Sequence, residues 1–251
     1  MIVDQKTASQ ASASLSMCPP EEVNKWGTTL IIASHPDDVT LECGGAIALL
    51  RQLGYRVHVL LLTDGVNNHP NASLFHPSHF RAIRRRETLN ALASLSVSED
   101  SVKFLGLHDT LLPIKGESGF KEVTRIIRNE LNSYMPDTII TPWKMANSKD
   151  HRATWQMTNV ALEKDSLHED VRHIGYSNFL NTQHESAFWT SHREVKSWRL
   201  DTNHVIEKKL NALSAYQSQH SFPVANNAVQ GEAYYQTVLS QSVQSWELYM
   251  E

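Results

Sequence analysis

The chain has 251 residues, about 1.7 times a ~150-residue domain, which allows one large α/β domain or two small ones. With 41% hydrophobic and 20% charged residues, a mean hydropathy of −0.37 and no long apolar run, its composition excludes a disordered chain and a membrane span. A net charge of −4 gives no overall pull toward nucleic acid, and two cysteines, Cys18 and Cys43, are too few for a disulfide scaffold or a Cys-rich zinc module.

In chain order, residues 1–27 are rich in Ser, Ala and Gln and contain Pro19–Pro20, without a basic leader or a hydrophobic core. They read as an N-terminal arm, mobile or strapped to the fold, and not as a secretory signal. From Thr28 the texture changes. Thr28–Ser34 (TTLIIAS) predicts a buried strand, and Gly44–Gly54 a helix with Ile47, Leu50 and Leu53 on one face. Tyr55–Thr63 (YRVHVLLLT) predicts a second buried strand, followed by a His- and Pro-containing loop and a basic amphipathic helix over Phe80–Ser96. Val102–Leu107 reads as a strand, Phe120–Tyr134 as a helix, Asp137–Thr141 (DTIIT) as a strand and Arg152–Lys164 as a helix. Beyond residue 170 the pattern weakens. His173–Phe179 and Glu194–Leu200 read as later strands, and residues 203–219 and 231–249 as helical.

Buried strands alternating with helices predict an α/β fold, a Rossmann-like, mostly parallel sheet with helices on both faces and a C-terminal extension. Residues 28–251 are expected to form this single domain. Sheets of this kind place their sites at the C-terminal ends of strands.

The first buried strand ends there in Ser34-His35-Pro36-Asp37-Asp38, followed by Glu42-Cys43-Gly44-Gly45. A nucleotide-binding protein would carry a G-x-G-x-x-G turn at this point, and this chain does not. His35 and Asp38, three apart around a rigid proline, can face one point with Asp37 beside it. The DTIIT strand leads into Asn147-Ser148-Lys149-Asp150-His151, so His151 can complete a His–Asp–His triad. Two histidines and one carboxylate suit Zn²⁺ or another divalent ion with positions left open. A neighbouring carboxylate that is not a ligand can then take a proton from water. The bland alternatives are an Asp-Asp helix N-cap and solvated loop histidines.

The motifs His35-Pro36-Asp37-Asp38 with Gly44-Gly45, Leu62-Thr63-Asp64-Gly65, Arg84-x-x-Glu87, Phe104-Leu105-Gly106-Leu107 with Asp109, and Thr141-Pro142 followed by Asp150-His151-Arg152-Ala153-Thr154 carry a resemblance. The chain resembles the PIG-L-like (LmbE-like) N-acetylglucosaminyl de-N-acetylases over roughly residues 28–165. The resemblance implies zinc-dependent removal of an N-acetyl group from an amino sugar or its conjugate. It makes His35, Asp38 and His151 the metal ligands and Asp37 the general base. Asp150 is expected to orient a ligand histidine, and Arg84 to reach the substrate or to pair with Glu87. The expected partner is a small N-acetyl amino sugar or glycoconjugate, with no nucleic acid and no membrane span. A cytoplasmic location is expected, and a homo-oligomer is compatible with the sequence.

The chain departs from the family pattern at Ser148, where a histidine is usual, at Ala146, where some members have tyrosine, and at Val39-Thr40, which replaces a common glutamate. The work of the missing histidine then falls to Asp37 alone or to His76, His79 or His184. Trp143, beside the motif loop, is the one tryptophan that reads as a sugar platform.

Overall fold

The computed structural model describes residues 15–66, 76–163, 169–176, 195–220 and 244–251. Its strands are β1 (Ser16–Cys18), β2 (Thr29–Ala33), β3 (Val57–Thr63), β4 (Val102–Leu107), β5 (Thr138–Pro142), β6 (Arg172–Tyr176), β7 (Ser197–Asp201) and β8 (Trp246–Met250). Among the described residues the α-helices are α1 (Asp38–Gln52), α2 (Pro77–Ser94), α3 (Phe120–Tyr134), α4 (Lys149–Leu162), α5 (Ile206–Leu213) and the single turn α6 (Gln217–His220).

The strands form one sheet in the order β1-β7-β8-β6-β5-β2-β3-β4. Every pair is parallel except the two that β8 makes with β6 and β7. The central strands β2 and β5 are buried along their whole length because helices cover both faces. Alternate residues of β2 point to opposite sides, as the period of two requires. Ile31 and Ala33 join Val39, Cys43, Ile47, Ala91 and Leu92 in one core, while Leu30 and Ile32 join Ile127, Leu131, Ala153 and Met157 in the other.

The chain steps from β2 through β3 to β4 in one direction, then returns to place β5 and β6 on the other side of β2. β2 and β5 are parallel neighbours in register, Thr29 opposite Thr138. Their onward connections therefore diverge at the C-terminal ends, opening the crevice where such sheets take ligands. The two motif loops leave from these strand ends.

Of the two readings of the N-terminal arm, residues 15–27 follow the strapped one and not the mobile one: β1 pairs with β7, and Val23 and Trp26 are fully buried, Trp26 edge-on to Tyr249. Two other expectations need correction. The first helix starts at Asp38, not Gly44, so the second aspartate occupies its opening turn. Trp246–Met250, expected in a helix, is a strand, because the open slot between β6 and β7 supplies backbone partners on both sides; residues 231–243 of that expectation, and 177–179 of the predicted strand, lie outside the described residues. No helix among the described residues is long and apolar enough to cross a membrane.

Candidate metal centre and its neighbours

His35 follows β2, Asp38 opens α1, and His151 lies in the first turn of α4 after β5. Their side chains converge: one donor atom from each lies within 4.8 Å of the other two. Asp38 Oδ2 is the centre, 3.1 Å from His35 Nδ1 and 3.1 Å from His151 Nε2, and it also accepts from the His35 backbone N–H at 3.0 Å. On the far side of the His35 ring, Nε2 meets Asp150 Oδ2 at 3.2 Å. Asp150 is buried and takes the backbone N–H groups of Thr110 (2.6 Å) and Leu112 (3.2 Å), so the loop after β4 fixes its carboxylate.

The electrostatics follow from this packing. Burial would push His35 down, but the carboxylates of Asp38 and Asp150 outweigh it and hold the imidazole well above its usual range. Burial would raise Asp38, yet His151 and His35 hold it far below the usual carboxylate range. Asp150 is likewise lowered against the effect of burial, through His35 and the Thr110 N–H. The donor set fits a metal: around a tetrahedral ion with bonds of ~2.0–2.2 Å, donors are about 3.3–3.6 Å apart. The 3.1 Å separations approach that with adjustments of a few tenths of an ångström.

Asp37 stands just before α1 and does not cap it: no side-chain bond runs to the helix's own N–H groups. Its Oδ1 accepts from Arg84 Nη2 at 3.2 Å and its Oδ2 from Gln219 Nε2 at 2.9 Å. The simple N-cap alternative therefore does not hold.

The family model described as PIG-L, GlcNAc-PI de-N-acetylase, matches residues 30–162, which span both motif loops and the strands that carry them. The chain belongs to the PIG-L family. It is accordingly an enzyme of the deacetylase class, a hydrolase of amide bonds. A diacetylchitobiose deacetylase of Thermococcus kodakarensis is 28% identical over 212 residues, 79% of this chain and 72% of that protein. The solved N,N′-diacetylchitobiose deacetylase of Pyrococcus horikoshii superposes with a TM-score of 0.61 at 24% identity, covering 92% of this chain and 86% of that one. The fold also carries other chemistry. The 4-carboxy-2-hydroxymuconate hydratase GalB of Pseudomonas putida matches with a TM-score of 0.63 at 18% identity, over 89% of this chain and 95% of that one. Fold likeness alone thus does not determine the reaction.

Within the PIG-L pattern, Ser148 has another task. It is the N-cap of α4, its Oγ accepting from the His151 backbone N–H at 3.4 Å. Arg84, expected at the substrate or beside Glu87, is only 2% exposed. Its guanidinium lies between Asp37 at 3.2 Å and Glu87 at 3.9 Å, so it is a buried charge partner and not a substrate contact. Trp143 is also no platform: it is 1% exposed and packs edge-on against Trp155. His76 and His79 are exposed at the start of α2, where His76 Nδ1 meets the Ser78 hydroxyl at 2.8 Å. His184 lies outside the described residues.

Three further groups shape the site. Gln219 arrives from α6. Tyr216 donates its hydroxyl to the Pro36 carbonyl at 2.9 Å, bracing the loop that bears His35 and Asp37. Gly65, at φ +64°, lets the loop after β3 pass this proline; a Cβ there would lie 2.8 Å from Pro36 Cδ. Of these, only the glycine belongs to a motif legible beforehand.

Proposed function

We propose that the protein is a zinc-dependent hydrolase that removes the N-acetyl group from an N-acetylated amino sugar or its conjugate. The observation that carries this reading is the convergence of His35, Asp38 and His151 on one point with Asp37 beside them, at the switch point of a PIG-L fold. The relatives named above, which act on diacetylchitobiose, support the substrate class.

His35, Asp38 and His151 would hold the ion, and His35 would keep its Nε2–H for Asp150, which sets the tautomer and aims the ring. When bound, the ion would polarise the acetamide carbonyl and make a water acidic enough to attack near neutral pH. Asp37 takes the proton of that water as the carbonyl carbon becomes tetrahedral. The same carboxyl group then delivers the proton to the departing amine. The C–N bond breaks, the free amino sugar leaves with acetic acid, which ionises to acetate by giving its proton to the amine, and Asp37 is again a carboxylate. Ser148 is engaged in capping α4 and, as an alcohol, is no acid near neutral pH. In this reading one carboxylate performs both proton transfers, with His76, His79 and His184 the alternative donors.

The test couples metal analysis to acetate release from a panel of N-acetyl amino sugars that includes N-acetylglucosamine and N,N′-diacetylchitobiose. The expected result is one zinc per chain, acetate as the acid released, and loss of turnover on chelation with recovery on adding zinc. Full turnover by chelated protein would remove the metal from the mechanism. Release of a larger acid from acyl conjugates, with no acetate from the panel, would move the substrate to a bulkier amide. Stoichiometric zinc without any hydrolysis would favour a sugar-binding relative without turnover.

A further inference from the structure

The hydrogen bonding around Asp37 is unbalanced. Arg84 is buried and gives Asp37 one bond, from Nη2. Two more of its nitrogens, Nε and Nη1, are buried with no hydrogen-bond partner. Glu87 pairs with Nη1 only as a charge at 3.9 Å, beyond hydrogen-bond reach, and its two oxygens are drawn to the backbone N–H and the hydroxyl of Ser218 at 2.5 and 2.7 Å. A guanidinium with spare donors favours a two-point pair with a carboxylate. The terminal torsion of an aspartate is broad and two-fold, so the side chain itself resists that turn little. In the two-point pair both oxygens would face Arg84, and the lone pair needed by an attacking water would be turned aside.

One contact opposes this turn. Gln219 Nε2 holds Asp37 Oδ2 at 2.9 Å, on the oxygen that Arg84 does not touch. A carboxylate can only accept, so the amide must present its NH₂ here. That orientation leaves Gln219 Oε1 buried with no partner, a condition that native proteins rarely tolerate without a reason. The turn that carries Gln219 is anchored on both sides of Asp37. Tyr216 bonds the Pro36 carbonyl, one residue before Asp37, and Ser218 bonds Glu87, one turn after Arg84.

We propose that Gln219 is a positioning residue that keeps the Asp37 carboxylate out of a two-point pair with Arg84 and so holds it ready for the attacking water. This rests on the reading of Asp37 as the base. It assigns the C-terminal extension a part in the reaction.

The test uses the full-length, zinc-loaded protein with N,N′-diacetylchitobiose as the probe. Gln219→Leu should lower kcat about 10- to 100-fold, the usual cost of losing a supporting hydrogen bond, with zinc content unchanged. KM should stay within about twofold, since substrate binding is not its task. Added to an Asp37→Asn background, Gln219→Leu should change kcat by less than about twofold, because no base remains to be positioned. Unchanged kcat in the single variant overturns the proposal, as do multiplying losses in the double variant, the mark of a merely structural residue. If Asp37→Asn itself keeps full kcat, the base assignment fails instead, and the two failures are told apart. Crystal structures of the parent and Gln219→Leu proteins answer the same question without turnover. The carboxylate should rotate onto Arg84 in the variant, and an unmoved carboxylate overturns the proposal.

Discussion

At the scale of single residues, the neighbouring aspartates have separable tasks. Asp38 lies between two imidazole nitrogens, whereas Asp37 faces Arg84 and Gln219. His35→Ala or His151→Ala should each strip about one equivalent of zinc and abolish turnover, because two remaining donors hold a divalent ion poorly. Elemental analysis of purified variants checks this, and full metal retention by His35→Ala would mean that the centre lies elsewhere. Asp37→Asn should keep its metal and lose roughly 10²–10⁴ in kcat, the range for a lost general base. A further prediction concerns His173, which stacks on Trp155 at 4.0 Å and bonds the Thr141 hydroxyl at 2.9 Å. Burial pushes it down to about 3. Unfolded, its ring takes up a proton near pH ~6.5, while in the fold it stays neutral until far lower pH. Its contribution to stability is therefore complete above about pH 6.5 and is lost progressively as the pH falls toward about 3. Thermal melts of His173→Gln should show a shallower loss over that window than the parent. Equal slopes would assign the acid sensitivity to other groups.

At the scale of elements, α1 and α4 show how a helix start can serve a site. Periodicity alone predicts α1 from Gly44, because Ile47, Leu50 and Leu53 are its most regular apolar residues. The helix begins six residues earlier, where Asp38 turns to the site in its first turn and breaks the apolar pattern. A site placed in the first turn thus hides the boundary of its own helix. In α4 the start likewise precedes the predicted Arg152, at Lys149, although Ser148 is an N-cap residue type three residues before His151. Ser148→Ala should cost about 0.5–2 kcal/mol as a lost N-cap, read as a lower melting temperature. With no proton-transfer role for the hydroxyl, kcat should change little. A fall in kcat of ~10²-fold or more would instead place Ser148 in the chemistry.

At the scale of the whole molecule, the C-terminal part of the chain locks the N-terminal half in place. Glu247, in β8, accepts the Gly45 and Ala46 backbone N–H groups of α1 at 2.7 and 2.9 Å, Lys209 Nζ at 2.7 Å and the Tyr249 hydroxyl at 2.9 Å. The helix that presents Asp38 is thereby tied to β8 and α5. Gly45 permits the approach: a Cβ there would lie 2.5 Å from Thr202 Cγ2. Lys209→Met would leave the Glu247 carboxylate buried without its cation, an arrangement that typically costs about 3–5 kcal/mol. Denaturant unfolding should show that loss. A Lys209→Met/Glu247→Gln pair should lose less than the sum of the single changes, since the stranded charge is then removed as well.

The sequence by itself determined the α/β alternation and the parallel central strands, and, with the family resemblance, it named the three residues of the candidate metal centre. Each is a local signal: a run of apolar residues long enough to be buried on both faces, or a histidine and carboxylates at the end of such a run. The tertiary structure alone decided what surrounds the centre. Arg84, read as the helical partner of Glu87, also became the charge partner of Asp37 because α2 packs beneath the first motif loop. Gln219 reaches the same carboxylate across 182 residues of chain, with no spacing rule to announce it. The segment Trp246–Met250 has no alternation that marks a strand, and the unpaired edges of β6 and β7 make it one. Local patterns report which face of an element is buried; which distant side chain meets a given polar atom is set only when the sheet order closes around it.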